Sequence, residues 1–150
     1  MADVTHYRSV VGALYVTLTR PDIAFAVNKA CQFMQQPTTT HWLSVKRILR
    51  YLRGTMQDGL LLSPSSNLTI EGFTDADWGA HLVDRRSSSG YLVYLGGNLV
   101  SWSSTKQKVV SRSSAESEYR GLVFATAEIV WMQALLQELC ANTCYTSTLV

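Results

Sequence analysis

The chain has 150 residues, 47% of them apolar and 16% charged, a globular balance that excludes a mainly disordered polypeptide and has room for one domain or little more. A net charge of +2 gives no global field for nucleic acid, so any such affinity must come from local basic patches. The longest apolar stretch, Leu122 to Leu136, is interrupted by Glu128 and Gln133 and falls short of a membrane span.

From the N-terminus to about Gly54 the pattern is mainly helical. Asp3, His6 and Arg8 interrupt any apolar core there, so no signal peptide is expected. Pro21 can open a helix, with Thr19 or Arg20 ahead of it, that continues through Ile23, Ala26, Val27, Ala30 and Phe33 before Pro37. The next helix is HWLSVKRILRYLR, residues 41–53, with Trp42, Val45, Ile48, Leu49 and Leu52 on one side. Lys46, Arg47, Arg50 and Arg53 occupy the rest, with no acid among them. Such a row is either a solvated face or a contact for nucleic-acid phosphates.

Between Gly54 and Asn67, GTMQDG and SPSSN supply turn residues on both sides of an expected short strand, Leu60–Ser63. The period then changes to two. Leu68–Thr74 reads as a strand ending at Asp75 and Asp77, and Gly90–Leu95 with Asn98–Trp102 as a hairpin closed by Gly96-Gly97. Lys106, Lys108 and Arg112 flank Val109-Val110, and one long helix runs from Ser114 to Leu139. Strands followed by a helix make the fold class α/β, with an α+β beginning.

Cys31, Cys140 and Cys144 form no disulfide framework, and a lone C-x-x-x-C lacks two ligands of a zinc site. His6, His41 and His81 are scattered. The carboxylates are more informative. Ser113-Ser114-Ala115-Glu116 matches the capping box, and Glu116 precedes Arg120 by four residues, so Glu116 has a structural role. Glu118 instead falls on the helical wheel among Leu122, Ala125, Ile129, Met132, Leu136 and Leu139, facing inward. An inward acid is costly unless it is paired or binds a cation; otherwise it frays into solvent in the first turn. Asp75 and Glu118 could therefore share one divalent ion, the arrangement that two-metal phosphodiester hydrolysis uses.

YRSVVGAL, TRPDIAFAVN, HWLSVKRILRYLRGT, FTDADWGA, DRRSSSGYLVYLGGNLVSWSS and KQKVVSRSSAESEYRGL together resemble the Pol polyprotein of copia-type LTR retrotransposons. The resemblance extends to about Leu139. It implies that residues 1–54 are the helical thumb- or connection-like tail of a reverse transcriptase and 55–67 a linker with the short strand. Residues 68–150 would then be an incomplete, truncated RNase H-like domain. It makes Asp75 and Glu118 metal ligands and catalytic residues for Mg²⁺, the helical wheel having selected the same glutamate. Family members commonly carry one more residue within GALYVTLTRPDI, and place further aspartates in a strand after the long helix, where this chain has Cys144 to Val150.

The expected function is thus that of a Pol segment whose parent cuts the RNA strand of RNA–DNA hybrids, with this chain itself inactive, as in a degenerate gene fragment. The alternative is a non-catalytic module binding nucleic-acid backbone through Lys46, Arg47, Arg50 and Arg53 with Arg85, Arg86 and Lys106. The expected partners are an RNA–DNA hybrid or other nucleic acid and the rest of the polyprotein, in an intracellular setting without membrane contact. The strand carrying Asp75 is expected at a sheet edge unless residues 146–150 complete part of its partner.

Overall fold

The computed structural model describes residues 3–15, 19–81 and 84–139, and the backbone of 147–149. The one-residue difference expected within GALYVTLTRPDI falls partly outside them, as do Cys140 and Cys144. The chain divides into two units, Met1–Leu60 and Leu61–Val150. Among the described residues no helix is long and apolar enough to cross a membrane.

The first unit is helical: α1 (Val4–Ala13), a single 3-10 turn (Pro21–Ile23), α2 (Ala24–Cys31) and α3 (Thr39–Gly54). Proline at the first position starts the 3-10 turn, since its missing N–H costs nothing there. The expected helix through Phe33 ends two residues early, where Phe33 and Met34 close turns onto Ala30 and Cys31. Thr38 caps α3 in a box whose third helical residue is His41: its Nδ1 accepts the Thr38 N–H at 3.1 Å while Thr38 Oγ1 accepts the His41 N–H. Tyr7, Val11, Val27, Val45 and Ile48 fill the core, and the Tyr7 hydroxyl donates to the Ala30 carbonyl at 3.0 Å.

The second unit holds β1 (Ile70–Asp77), β2 (Ser88–Leu95), β3 (Asn98–Lys106), α4 (Ser114–Glu138) and β4 (Ser147–Leu149), in sheet order β3-β2-β1-β4. The hairpin closes as expected, with Gly96 and Gly97 at φ 57° and 81°, the left-handed pair a two-residue turn needs. The expected strand Leu60–Ser63 does not form. Leu61 and Leu62 are exposed, and the Asn98 side-chain amide takes both backbone groups of Ser63, at 2.7 and 3.0 Å, in place of a strand ladder. β4 runs parallel to β1 over three rungs only, Ile70–Gly72 against Ser147–Leu149. The edge expectation therefore resolves in halves: the first part of β1 has a partner on that side, and Phe73–Asp77 has none among the described residues.

Burial alternates along β1. Ile70 and Gly72 are buried while Glu71, Phe73, Asp75 and Asp77 are exposed, so one face is covered and one is bare. α4 covers the first face, packing Ile129, Met132 and Leu136 against Ile70 and Val93.

Candidate metal and nucleic-acid sites

Asp75 stands on the bare face. Its register partner on β2 is Gly90, so no side chain rises beside it, and a depression of about 280 Å³ bordered by Phe73, Leu92 and Asp75 lies over that glycine. Asp75 Oδ1 accepts the Ala76 N–H at 2.8 Å.

Glu118 corrects the inward expectation. The residues α4 buries are Ser117, Gly121, Ala125, Ile129, Met132 and Leu136. Glu118 is exposed, Leu122 is 37% exposed and Leu139 67%. At the N-terminal end, therefore, the buried stripe lies one residue earlier than expected. Small residues define it there: a Cβ on Gly121 would stand 3.1 Å from Thr74 Oγ1 and 3.6 Å from Ser89 Oγ. The helix sits that close because Gly121 has no side chain.

A buried polar network fixes the same turn. Gln107, 4% exposed, donates through Nε2 to Ser89 Oγ at 2.6 Å and to the Ser117 carbonyl at 2.9 Å, and its Oε1 accepts the Ser111 hydroxyl at 3.0 Å. Trp78 Nε1 donates to the Ser111 carbonyl at 3.0 Å. The segment after β3 is thereby tied to β2, to α4 and to the end of β1. Pattern reading missed Gln107, because a single amide between strand and helix carries no periodic signal. Glu116 behaves as a structural acid. Its Oε2 accepts the Arg112 N–H and its Oε1 the Arg120 guanidinium, both at 2.7 Å, which holds its carboxyl below the usual range.

No hydrogen bond or ion pair joins Asp75 to Glu118, and among the described residues no three His, Cys, Asp or Glu side chains cluster as metal ligands would. The basic residues separate into two sets. Lys106 and Arg86 turn to Asp84, at 2.6 and 3.5 Å, with His81 Nδ1 on its other oxygen at 2.8 Å; the Lys106 hydrogen bond is the first cause of the lowered Asp84 pKa. Arg85 is exposed and left-handed, φ 55°. On α3, Lys46, Arg47, Arg50 and Arg53 are all exposed and joined to no acid among the described residues. Lys46 Nζ lies 5.9 Å over the Trp42 ring.

The chain is 46% identical over 140 residues to the retrovirus-related Pol polyprotein from transposon RE2, and 48% identical over 140 residues to that from transposon RE1, both of Arabidopsis thaliana. Each match covers 93% of this chain and 10% of the relative. The chain belongs to the retrotransposon Pol polyprotein family. It spans about a tenth of the length of these two Pol relatives. A further relative of this Pol chain, secreted RxLR effector protein 161 of Plasmopara viticola, is 46% identical over 84% of the chain and 90% of its own length. No family model matches the chain. No solved structure matches it.

Proposed function

We propose that residues 68–150 of this Pol chain are the opening part of an RNase H-like domain in which Asp75 and Glu118 hold Mg²⁺, and that residues 1–54 are the helical tail of a reverse transcriptase. The observation that carries this reading is the seating of Gly121 against Thr74, which brings the second turn of α4, where Glu118 stands, to the strand residue before Asp75. Carboxylate oxygens are the hard donors Mg²⁺ takes, and one ion held by one or two carboxylates, water and substrate phosphate fits this donor set. A pair of ions does not fit, since no third carboxylate joins them among the described residues. Bound Mg²⁺ supplies a Lewis acid for the phosphodiester and an acidified water. This chain's part is to hold Asp75 on the bare face and Glu118 at the helix start. Asp75 faces away from the side of β1 that α4 covers, so the two carboxylates that would hold the ion rise from different sides of the sheet.

The test is a Mn²⁺ titration followed by broadening of amide signals. Broadening centred on 74–77 and 114–118, and lost in Asp75→Asn, is expected; broadening that ignores the substitution sinks the metal reading. With two carboxylates alone the chain is expected not to cleave an RNA–DNA hybrid above background. Metal-dependent cleavage abolished in Asp75→Asn would overturn that expectation of inactivity.

A second reading is favoured by α3. The unit Met1–Leu60 carries seven Lys and Arg residues against three Asp and Glu, four of the seven exposed on one helix. Such a row suits sequence-indifferent contact with nucleic-acid backbone, weakening steeply with salt as counterions are released. It supports a role in holding a hybrid or duplex within the polyprotein.

A further inference from the structure

The first unit contains a cavity of about 390 Å³ between α2 and α3 that the backbone-contact reading does not use. Tyr7, Ala30 and Ile48 are buried beneath it, and with the Tyr7 hydroxyl committed to Ala30 this lining is apolar. Phe33 and His41 also line it, their rings stacked with centroids 3.7 Å apart and planes 18° from parallel. Phe25 is a further lining ring and is 54% exposed. The cavity has cations and no acid. Lys29 Nζ stands 5.9 Å over the Phe25 ring, and Arg47 enters from α3, in the same basic row as Lys46, Arg50 and Arg53.

A ligand suited to this cavity has a flat body to lie against aromatic rings and an anionic group to meet two cations. We infer that the cavity takes one unpaired nucleotide of a single-stranded nucleic acid, its base against Phe25 and its phosphate between Lys29 and Arg47. The inference rests on α3 being a phosphate-contacting helix, since the neighbouring cations would then carry the rest of the strand. Every base has a π face, so stacking of this kind tolerates any sequence. A paired base in a duplex cannot enter. The cavity therefore adds a preference for single strands to a helix that by itself would bind either form.

The experiment titrates the full chain against labelled oligothymidylate and against a short mixed-sequence duplex at low salt. Phe25→Ala and Phe25→Leu are expected to weaken single-strand binding about tenfold each, Leu because it keeps apolar bulk without a π face, and Phe25→Trp to restore it. Duplex binding should be unchanged by all three. The double variant Arg50→Gln, Arg53→Gln should weaken binding of both nucleic acids. Single-strand binding that is indifferent to Phe25, or falls no further than duplex binding does, overturns the cavity assignment. If that happens while the Arg50 and Arg53 substitutions still lower duplex affinity, the α3 reading stands alone. If neither nucleic acid binds the unaltered chain, both fall. An unchanged thermal transition in the Phe25 variants confirms that a half-exposed ring was removed without loss of fold.

Discussion

Asp22 shows how much one side chain can organise in the first unit. Both of its oxygens accept from Arg20, at 2.8 and 3.0 Å, and Oδ2 also accepts the Tyr51 hydroxyl at 2.8 Å. Arg20 goes on to the Thr55 carbonyl and hydroxyl, so the residues around Pro21 are bound to the end of α3. Hydrogen bonding from Arg20 is the first cause that lowers the Asp22 pKa from 3.8 to about 2. A carboxyl depressed in the folded state contributes stability that is present above its unfolded value and lost as pH falls through the folded one. The first unit should thus lose stability between about pH 4 and pH 2, and Asp22→Asn should be less stable at neutral pH but flatter over that window. Acid titrations of both proteins by circular dichroism check this; parallel curves would refute it. Residue-level reading of the sequence recovered Glu116 and misplaced Glu118. The wheel counts Leu122 as core and passes over Ser117 and Gly121, because a hydroxyl and a bare Cα carry no weight in an apolar pattern. Ser117 is fully buried, with its hydroxyl on the Ser114 carbonyl at 2.6 Å and its own carbonyl bound by Gln107.

At the scale of elements, the position of α4 depends on Gly121. Thr74 Oγ1, the nearest atom to a new side chain there, is held by its bond to the Gly90 carbonyl at 3.0 Å and has little freedom to yield. Gly121→Val should therefore cost about 1–3 kcal/mol, despite removing a glycine from a helix interior. Denaturant melts measure the loss; a variant as stable as the parent chain would mean that the helix can lift without penalty. The start of α4, the glycine hairpin and the run of the long helix were legible because caps and turns are written in adjacent residues. By contrast, α3 begins at Thr39, two residues before the expected His41, on a Thr38 cap that its apolar stripe does not mark. The strand at Leu60–Ser63 was misread because its partner is a distant side chain, Asn98, which no local pattern reveals. The polar network around Gln107 was hidden for the same reason.

At the scale of the whole molecule, the two units carry opposite balances. Met1–Leu60 has seven basic residues against three acidic, and Leu61–Val150 six against eight. A net +2 thus conceals a basic helical part and an acidic sheet part, the balance that the proposed phosphate contact by one and cation binding by the other would need. The three-rung pairing of β4 with β1 carries a consequence in time. The hairpin of β2 and β3 closes over two residues, and β1 adds next to it, whereas β4 must return across almost the entire second unit to reach Ile70. Closing a long loop for three rungs makes a late and weakly rewarded folding step. Amides of 147–149 should exchange with deuterium well before those of β2 and β3, and equal protection would show the sheet assembling as one unit. In the interval before closure, the whole length of β1 on that side is an unclaimed template, so the order of assembly sets how long the chain is open to pairing with another copy of itself.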